Sequence, residues 1–423
     1  MKSFFAKIGL IFSDKNIRKR IFFTMGALVL FRLLATIPIP GVDVERLGAF
    51  FSENQFFGLL NIFSGGGLAN LSIVMLGVGP YITASIIMQL MTIMFPSLKA
   101  MYQEEGEIGR KKFAQISRLL TVPLALVQSF AFVKLLQSNG ALAPLGGFDL
   151  VVNILVITAG SILLMWIGEL ISEFGIGNGV SLLIFAGIVA SLPSALTQLG
   201  IIFDPAQIPI YIAFLIATLV VIVGVVIVTE AERPIPITYA KRVRGAKVYG
   251  GVSTYLPLRL NQAGVIPIIF ALSILLFPQM ILSFLSGVQN DTVQAVSNFI
   301  LGVLNNPWIY AALYFVFVFI FTYFYTAITF DPDMISENLQ RNGAFIPGVR
   351  PGQSTSHHIA RILTRLTLFG ALFLGLIAVL PLIMRAVTGI QQLAIGGTAL
   401  LIVVSVVVDL MKKVDAQVSA REY

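Results

Sequence analysis

Ten long apolar runs determine what this chain can fold into. Each run has 17 to 25 residues, close to the roughly 20 residues that an α-helix needs to cross a hydrocarbon core. We therefore predict ten transmembrane helices, or spans. They are at 21–37, 71–95, 119–136, 151–172, 180–196, 208–228, 264–282, 308–330, 363–384 and 393–410.

The composition agrees with a membrane protein and argues against an enzyme. Hydrophobic residues make up 57% of the chain and charged residues 11%, whereas soluble domains have about 25% charged residues. The chain has no cysteine, which excludes disulfides and cysteine-based metal sites. It also lacks a phosphate-binding glycine loop, a G-x-S-x-G motif and a His pair at metal-ligand spacing. We expect no catalytic residues, no metal and no cofactor.

The basic residues orient the spans. Twenty-four of the 28 lie before span one, after span ten, or in the loops that follow spans two, six and eight, counting Arg365 at the border of span nine. These segments share one side because the number of spans is even. The excess of Lys and Arg on that side predicts that it is cytoplasmic, with both termini there. The basic, amphipathic segment 1–20 shows no small-residue cleavage site, so we expect it to be retained.

The stretch 54–96 begins like a membrane helix and is then interrupted. The apolar piece 55–63 is too short to cross a membrane, and the glycines at 65–67 end it. Gly77, Gly79 and Pro80 break the first third of span two. Irregular backbone at membrane depth is tolerated only inside protein or against a water-filled cavity. We predict a half-inserted element followed by a broken helix that lines a cavity. A re-entrant loop with a purely structural role is the alternative.

Two cytoplasmic loops are long enough to have a function of their own. In the first, about 230–262, two β-prone runs (235–243 and 247–255) flank a glycine turn, which predicts a hairpin with a basic tip. In the second, about 331–361, the Gly and Pro residues indicate a structured loop. Orientation signals without further function are the alternative for both.

Two motifs recur five spans apart. Gly77–Ala84 in span two and Gly264–Ala271 in span seven share the pattern G-V-x-P-x-I-x-A. Gly179–Ile184 in span five likewise resembles Gly397–Ile402 in span ten. Because five is odd, the second half would be inserted upside down relative to the first. Inverted repeats with matching broken helices point to a pathway at the interface of the two halves.

Branched aliphatic residues on these spans favour a channel over a solute transporter, which is the runner-up. Ion-coupled transporters usually carry ionisable residues near the bilayer centre, and these spans are nearly free of them. A ring of branched aliphatics can exclude ions by dewetting and still yield to an extended chain. The candidate ring residues are Val78, Ile82, Val180, Ile184, Ile269 and Ile402. Ordinary core packing is the alternative for them.

Several long motifs, in order along the chain, resemble the SecY family of channel-forming translocase subunits. They are FSGGGLANLSIVMLGVGPYITASIIMQL, GIGNGVSLLIFAGIVASLP, YAKRVRG, LPLRLNQAGVIPIIFA, GAFIPGVRPG and GGTALLIVVSVVVDLMKKV. The resemblance implies an all-α polytopic membrane protein with ten helices in two inverted five-helix halves, a re-entrant plug helix and a cytoplasmic β-hairpin. The halves would be 21–200 and 201–411, between the N-terminal segment 1–20 and a cytoplasmic tail at 412–423.

The same resemblance assigns roles to particular residues. It places the six aliphatic residues in the pore ring, where valine at positions 78 and 180 replaces the family's usual isoleucine and implies a slightly looser seal. It implies a polar cluster in a lateral gate, at Thr83, Gln128 and Asn261. It implies a plug at about 57–70 that includes Phe57, Leu60, Ile62, Phe63, Ser64, Gly65, Gly66, Gly67 and Leu68.

Partners and function follow from the resemblance as well. Arg242, Arg244 and Lys247 at the hairpin tip, together with Arg350, would dock the SecA motor ATPase or a ribosome with its nascent chain. SecE and SecG would be membrane subunits, and signal sequences would reach the lipid bilayer through the lateral gate. The expected function is protein conduction across a bacterial plasma membrane, with energy supplied from outside the chain.

Overall fold

The computed structural model describes most of the chain. The described residues are 14–40, 67–68, 71–138, 142, 146–201, 208–239, 242–244, 247–249, 253–285, 291–304, 306–388 and 391–422. Most of the predicted N-terminal segment and of the predicted plug lie outside them.

The described part is mainly helical. The helices of the first half are α1 Lys15–Leu34, α2 Gly79–Met94, α3 Pro96–Gln103, α4 Gly106–Ser138, α5 Gly147–Phe174 and α6 Gly179–Ile201. The second half contains α7 Ile208–Glu230, α8 Ile266–Leu285, α9 Asp291–Leu304, α10 Pro307–Thr329, α11 Pro332–Arg341, α12 Gln353–Thr388 and α13 Gln391–Glu422.

Each predicted span falls mainly within one of these helices. Over the described residues, α4, α5, α7, α10 and α12 are long and apolar enough to cross a membrane, and α2 with α3 forms a sixth candidate bent by 114°. The number of ten spans remains a prediction, but these helices show that the chain is a multi-pass membrane protein. The helix of span two begins later than predicted, at Gly79 instead of residue 71, and residues 71–78 form turns. The predicted break in its first third is therefore confirmed.

Short strands link the two long loops predicted to be cytoplasmic. In the first loop, β1 Glu232–Tyr239 pairs antiparallel with β4 Ser253–Arg259, and β2 Arg242–Arg244 pairs with β3 Lys247–Tyr249 nearer the tip. The predicted hairpin is confirmed. The second loop contributes β5 Ala344–Phe345, which pairs with the other edge of β1 and gives the sheet order β4-β1-β5.

One large apolar cluster holds the helices of both halves together. It includes buried side chains of α1, α2, α5 and α6 and of α7, α8, α10, α12 and α13. A second cluster surrounds Leu68 and Leu71 and is completed by residues of α4 and α5. Both clusters include side chains of the irregular segment 71–78, so side-chain packing stabilises this irregular backbone.

Candidate functional site

The breaks at the start of α2 and α8 have the same backbone geometry. Gly77 and Gly264 take φ values of 58° and 62°, in the left-handed region that glycine adopts without a steric cost. In both cases the helix begins two residues later and carries proline in its first turn. The repeated G-V-x-P motif thus builds one local structure twice. This correspondence supports the predicted repeat.

The first helical hydrogen bonds after these breaks also correspond. The Ile82 N–H donates to the Val78 carbonyl oxygen at 3.0 Å, and the Ile269 N–H donates to the Val265 carbonyl oxygen at 3.4 Å. Ile82 and Ile269, both candidate ring residues, therefore occupy equivalent first-turn positions. The second motif pair differs, since Gly179 begins α6 whereas the matching Gly397 lies within α13.

All six candidate ring residues belong to the large apolar cluster. Val78, Ile184 and Ile402 are each 2% exposed and Ile269 is 8% exposed, while Ile82 and Val180 are partly buried against the cluster. They come from α6 and the start of α2 in the first half and from α8 and α13 in the second. The structure therefore places the six predicted residues in or against one apolar cluster that both halves build, and a ring of the six remains a prediction.

Two glycines hold α5 and α6 in very close approach beside this cluster. A Cβ added to Gly179 would fall 1.8 Å from the carbonyl oxygen of Gly168. Val180 follows directly, and its Cγ2 would lie 3.3 Å from a Cβ added to Gly168. Small residues permit such backbone contact between membrane helices. This pair was not predicted, because the sequence shows a glycine on each of two consecutive spans but not that the two face each other.

The segment before α2 is fixed to the residues that follow the C-terminal end of α1. The Ile39 N–H donates to the Leu71 carbonyl oxygen and the Ile73 N–H to the Ile37 carbonyl oxygen, both at 2.9 Å. A third glycine, Gly160 of α5, lies so close that an added Cβ would be 2.0 Å from the Ile73 carbonyl oxygen. The irregular segment is therefore clamped from two sides.

Of the predicted plug, the structure describes Gly67 and Leu68. Both are buried, and the Ser72 N–H donates to the Gly67 carbonyl oxygen at 2.8 Å. Leu68 is fully buried in the second cluster, beside Leu71. The other predicted plug residues lie outside the described part of the chain, so the plug remains a prediction with a firmly anchored end.

The three predicted gate residues lie on both sides of the contact that α8 makes with α2 and α4. The Thr83 hydroxyl donates to the Gly79 carbonyl oxygen in its own helix at 3.0 Å. Asn261, just before α8, donates through Nδ2 to the Gly264 carbonyl oxygen at 3.1 Å. Its buried Oδ1 has no hydrogen-bond partner among the described residues. Gln128 of α4 is 8% exposed. A common hydrogen-bonded cluster of the three remains a prediction.

A cavity of about 270 Å³ opens beside Asn261 where the two halves meet. It lies between the start of α6, the start of α8 and the part of α13 that carries Asp409 and Lys413. Those two residues form an ion pair at 2.9 Å, and Lys412 pairs with Glu230 of α7 at 3.0 Å. The lining is therefore polar and charged at this end, in contrast to the aliphatic cluster.

An ion pair between Arg118 of α4 and Glu169 of α5 was not predicted as a pair. Both side chains are partly exposed, at 42% and 24%. The sequence places Arg118 just before span three and Glu169 near the end of span four. It could not show that antiparallel neighbours bring the two to the same depth.

The two predicted docking loops form one structural unit. Besides the strand pairing, Ile235 and Leu258 of the hairpin pack against Ile346 and Ile359 of the second loop in a small apolar core. The strands β2 and β3, which carry Arg242, Arg244 and Lys247, form a separate two-stranded sheet between β1 and β4 in the sequence. The exposed Arg350 lies in the second loop, which shares the sheet β4-β1-β5 and the small core with the hairpin. This union depends on β5, which sequence analysis missed because two residues give no readable pattern.

Buried hydroxyl groups fix the backbone around Arg350. The Ser336 hydroxyl donates to the Gly352 carbonyl oxygen at 2.7 Å, and the Thr355 hydroxyl donates to the Arg350 carbonyl oxygen at 2.9 Å. The Ser356 hydroxyl donates to the Asp333 carboxylate. Gly352 takes a φ of 95°, which permits the sharp turn into α12. The loop therefore presents an exposed arginine on a rigid base.

Comparison with known proteins identifies the family. The SecY family model matches residues 72–411. The protein translocase subunit SecY of Mycobacterium tuberculosis (strain ATCC 25618 / H37Rv) is 41% identical, over 96% of this chain and 96% of the relative. That of Corynebacterium glutamicum is 41% identical over 97% of both chains, and that of Synechococcus elongatus is 42% identical over 96% of this chain and 94% of its own.

Solved structures with the same fold cover 95% of this chain and 92% of their own. A structure described as a protein-conducting channel has a TM-score of 0.64 at 21% identity, and one from work on the SecY plug domain has 0.67 at 22%. Sec61 in a canine ribosome-channel complex has 0.61 at 20%. At these low identities, the structural similarity establishes the fold alone. The family is established by the family model and by the relatives that are about 41% identical. The chain belongs to the SecY family.

Proposed function

We propose that this chain passes unfolded secretory polypeptides through its aliphatic ring, across the plasma membrane of a bacterium, and releases transmembrane segments sideways into lipid. Protein conduction is the role of the family to which the chain belongs. The observation that carries the proposal is that all six ring residues, from both halves, lie in or pack against one apolar cluster.

The ring would seal the closed channel and yield to a polypeptide. Aliphatic side chains have no hydrogen-bonding groups, so their separation leaves no buried polar group unpaired, a penalty that is commonly about 1–3 kcal/mol per group. Water between such side chains is unfavourable, so ions are excluded when the ring closes. Valine at positions 78 and 180 leaves more space than isoleucine and would make the seal looser.

The plug and the lateral gate complete the proposed mechanism. The plug, about 57–70, would close the outer funnel while its end at Gly67 and Leu68 stays anchored in the second cluster. The gate would open between α2 and α4 on one side and α8 and α10 on the other. Its polar residues Thr83, Gln128 and Asn261 would set the energy needed to separate the helices. The burial of Gln128 and Asn261, each 8% exposed, supports this role, since separating the helices would change the surroundings of two buried polar side chains.

Energy and docking would come from outside the chain, which we propose has no catalytic activity and no cofactor. The basic hairpin and Arg350 would bind the SecA motor or, through phosphates of ribosomal RNA, a ribosome. The rigid unit formed by the two loops supports this proposal because a motor needs a fixed base. SecE and SecG would be the membrane subunits. Both termini would be cytoplasmic, on the side of the basic loops.

Reconstitution tests the proposal. Proteoliposomes containing the chain with SecE and SecG receive SecA, ATP and an unfolded preprotein, and protection of the preprotein from added protease is measured. We expect ATP-dependent protection, and we expect Ile184→Asn to raise ion leakage where Leu376→Asn, at a position 62% exposed on α12, does not. Absence of protection in an intact complex contradicts the proposal. Saturable uptake of one solute would favour a transporter instead.

A further inference from the structure

The helix α9 carries an exposed apolar stripe. It connects α8 to α10 and runs from Asp291 to Leu304. Four large apolar side chains are exposed on it: Val296 at 54%, Phe299 at 73%, Ile300 at 37% and Val303 at 36%. Their spacing of three, four and seven residues places them on one side of the helix.

The same helix has two further faces. One face is directed at the protein, since Ser297 is 2% exposed, Leu301 and Leu304 are partly buried, and the helix packs against α8 and α10. The other face is exposed and carries the polar Asn298 and the small Gly302. A helix packed on a bundle, with one apolar and one polar exposed side, fits a boundary between an apolar and an aqueous medium.

The surroundings of the stripe point to lipid as the apolar medium. The exposed apolar surface resumes at the start of α10, where Trp308 is 60% and Ile309 is 39% exposed. Tryptophan is enriched at the level of lipid headgroups. The chain has no Lys or Arg between Arg259 and Arg341, so α9 has no cation for an anionic lipid or nucleic acid. The stripe is thus suited to the glycerol and acyl region of any phospholipid.

We propose that α9 is an interfacial helix that inserts Val296, Phe299, Ile300 and Val303 into the outer leaflet, with Asn298 and Gly302 towards water. It anchors the connection between α8 and α10 on the membrane surface, on the side opposite the basic loops. Binding is independent of headgroup charge. The proposal does not rest on polypeptide conduction, so the two can fail separately.

Single-cysteine labelling tests the insertion, because the chain has no native cysteine. Phe299→Cys and its neighbour Asn298→Cys are labelled with the environment-sensitive fluorophore NBD in the full complex, which is reconstituted in phosphatidylcholine vesicles. Val303→Cys and Gly302→Cys form a second matched pair, and a Cβ at Gly302 meets no atom within 4 Å. Quenching by nitroxide-bearing phospholipid is compared with quenching by aqueous iodide.

We expect nitroxide lipid to quench the label at positions 299 and 303 several-fold more than at 298 and 302, and iodide to show the reverse. Addition of anionic phosphatidylglycerol should leave this pattern unchanged. Equal iodide quenching at all four positions would mean that the stripe faces water and would overturn the proposal. Protection of 299 and 303 from both quenchers would also overturn it, since a second copy or another subunit would then cover the stripe.

Discussion

Gly179→Ala tests whether the close approach of α5 and α6 is needed to position the ring residues Val180 and Ile184. The Cβ of alanine would lie 1.8 Å from the Gly168 carbonyl oxygen and 2.8 Å from the Ile171 Cβ. Real Cβ atoms essentially never come closer than 3.0 Å to such an atom, so the helices must separate by at least 1.2 Å. The obstacle is backbone, which no side-chain rotation can relieve.

The cost of this separation can be estimated. Overpacking a well-packed core typically costs about 1–3 kcal/mol. At about 1.4 kcal/mol per tenfold change, this corresponds to a roughly 5- to 100-fold loss in the folding equilibrium. Val180 is the next residue and Ile184 lies one turn further on, so the same movement displaces two ring residues. We therefore expect lower thermal stability together with a greater ion leak.

The assay pairs thermal unfolding of the purified complex with ion efflux from proteoliposomes. Gly26→Ala is the matched control, because it lies within α1 and its added Cβ meets no atom within 4 Å. Alanine there should stabilise the helix by about 0.5–1 kcal/mol and leave the leak unchanged. If Gly179→Ala unfolds at the wild-type temperature and leaks no more than wild type, the argument from close approach is wrong.

Three further predictions concern the second loop around Arg350, the Arg118–Glu169 ion pair and the seal of the ring. Ser336→Ala removes one of three donors to the Gly352 carbonyl oxygen, which keeps the Thr355 and Ser356 N–H groups. The loss of about 0.5–1.5 kcal/mol should speed proteolysis at 342–352. Thr364→Ala, which removes an exposed hydroxyl bond, is its control, and equal rates would contradict the prediction. Arg118→Gln and Glu169→Gln each remove the ion pair, so each single variant should lose more than half of the stability that the double variant loses. If the losses of the two single variants in thermal unfolding add up to the loss of the double variant, the pair is not coupled. Val78→Ile should reduce ion leakage through the resting channel, and an unchanged or larger leak would show that position 78 does not limit the seal.

Local patterns predicted much of this fold. Hydrophobic runs predicted where the helices lie, because a helix that crosses the hydrocarbon core needs about 20 consecutive apolar residues. The break before Gly79 followed from glycine and proline, whose backbone preferences act within a few residues. The hairpin 232–259 followed from two β-prone runs around a glycine turn. Each of these signals is contained in the segment that it shapes.

Contacts between residues far apart in the chain could not be predicted from the sequence. The pairing of β5 with β1 joins residues about 100 positions apart, and a strand of two residues has no periodicity to recognise. The Arg118–Glu169 pair depends on the relative depth of two helices. The close approach of Gly168 and Gly179 depends on how α5 and α6 cross. The ring residues could be proposed from repeated motifs, but only packing brings them into one cluster.

The most direct test of the central claim is photo-crosslinking from the ring during transport. A photoreactive amino acid replaces Ile184 or Ile402, each 2% exposed and from opposite halves, and Leu376 on the outside of α12 serves as control. A stalled secretory chain is then driven into the channel by SecA. We predict crosslinks to that chain from both ring positions and none from position 376. Efficient transport with no crosslink from either ring position would mean that these residues are core packing, and the pore would have to lie elsewhere.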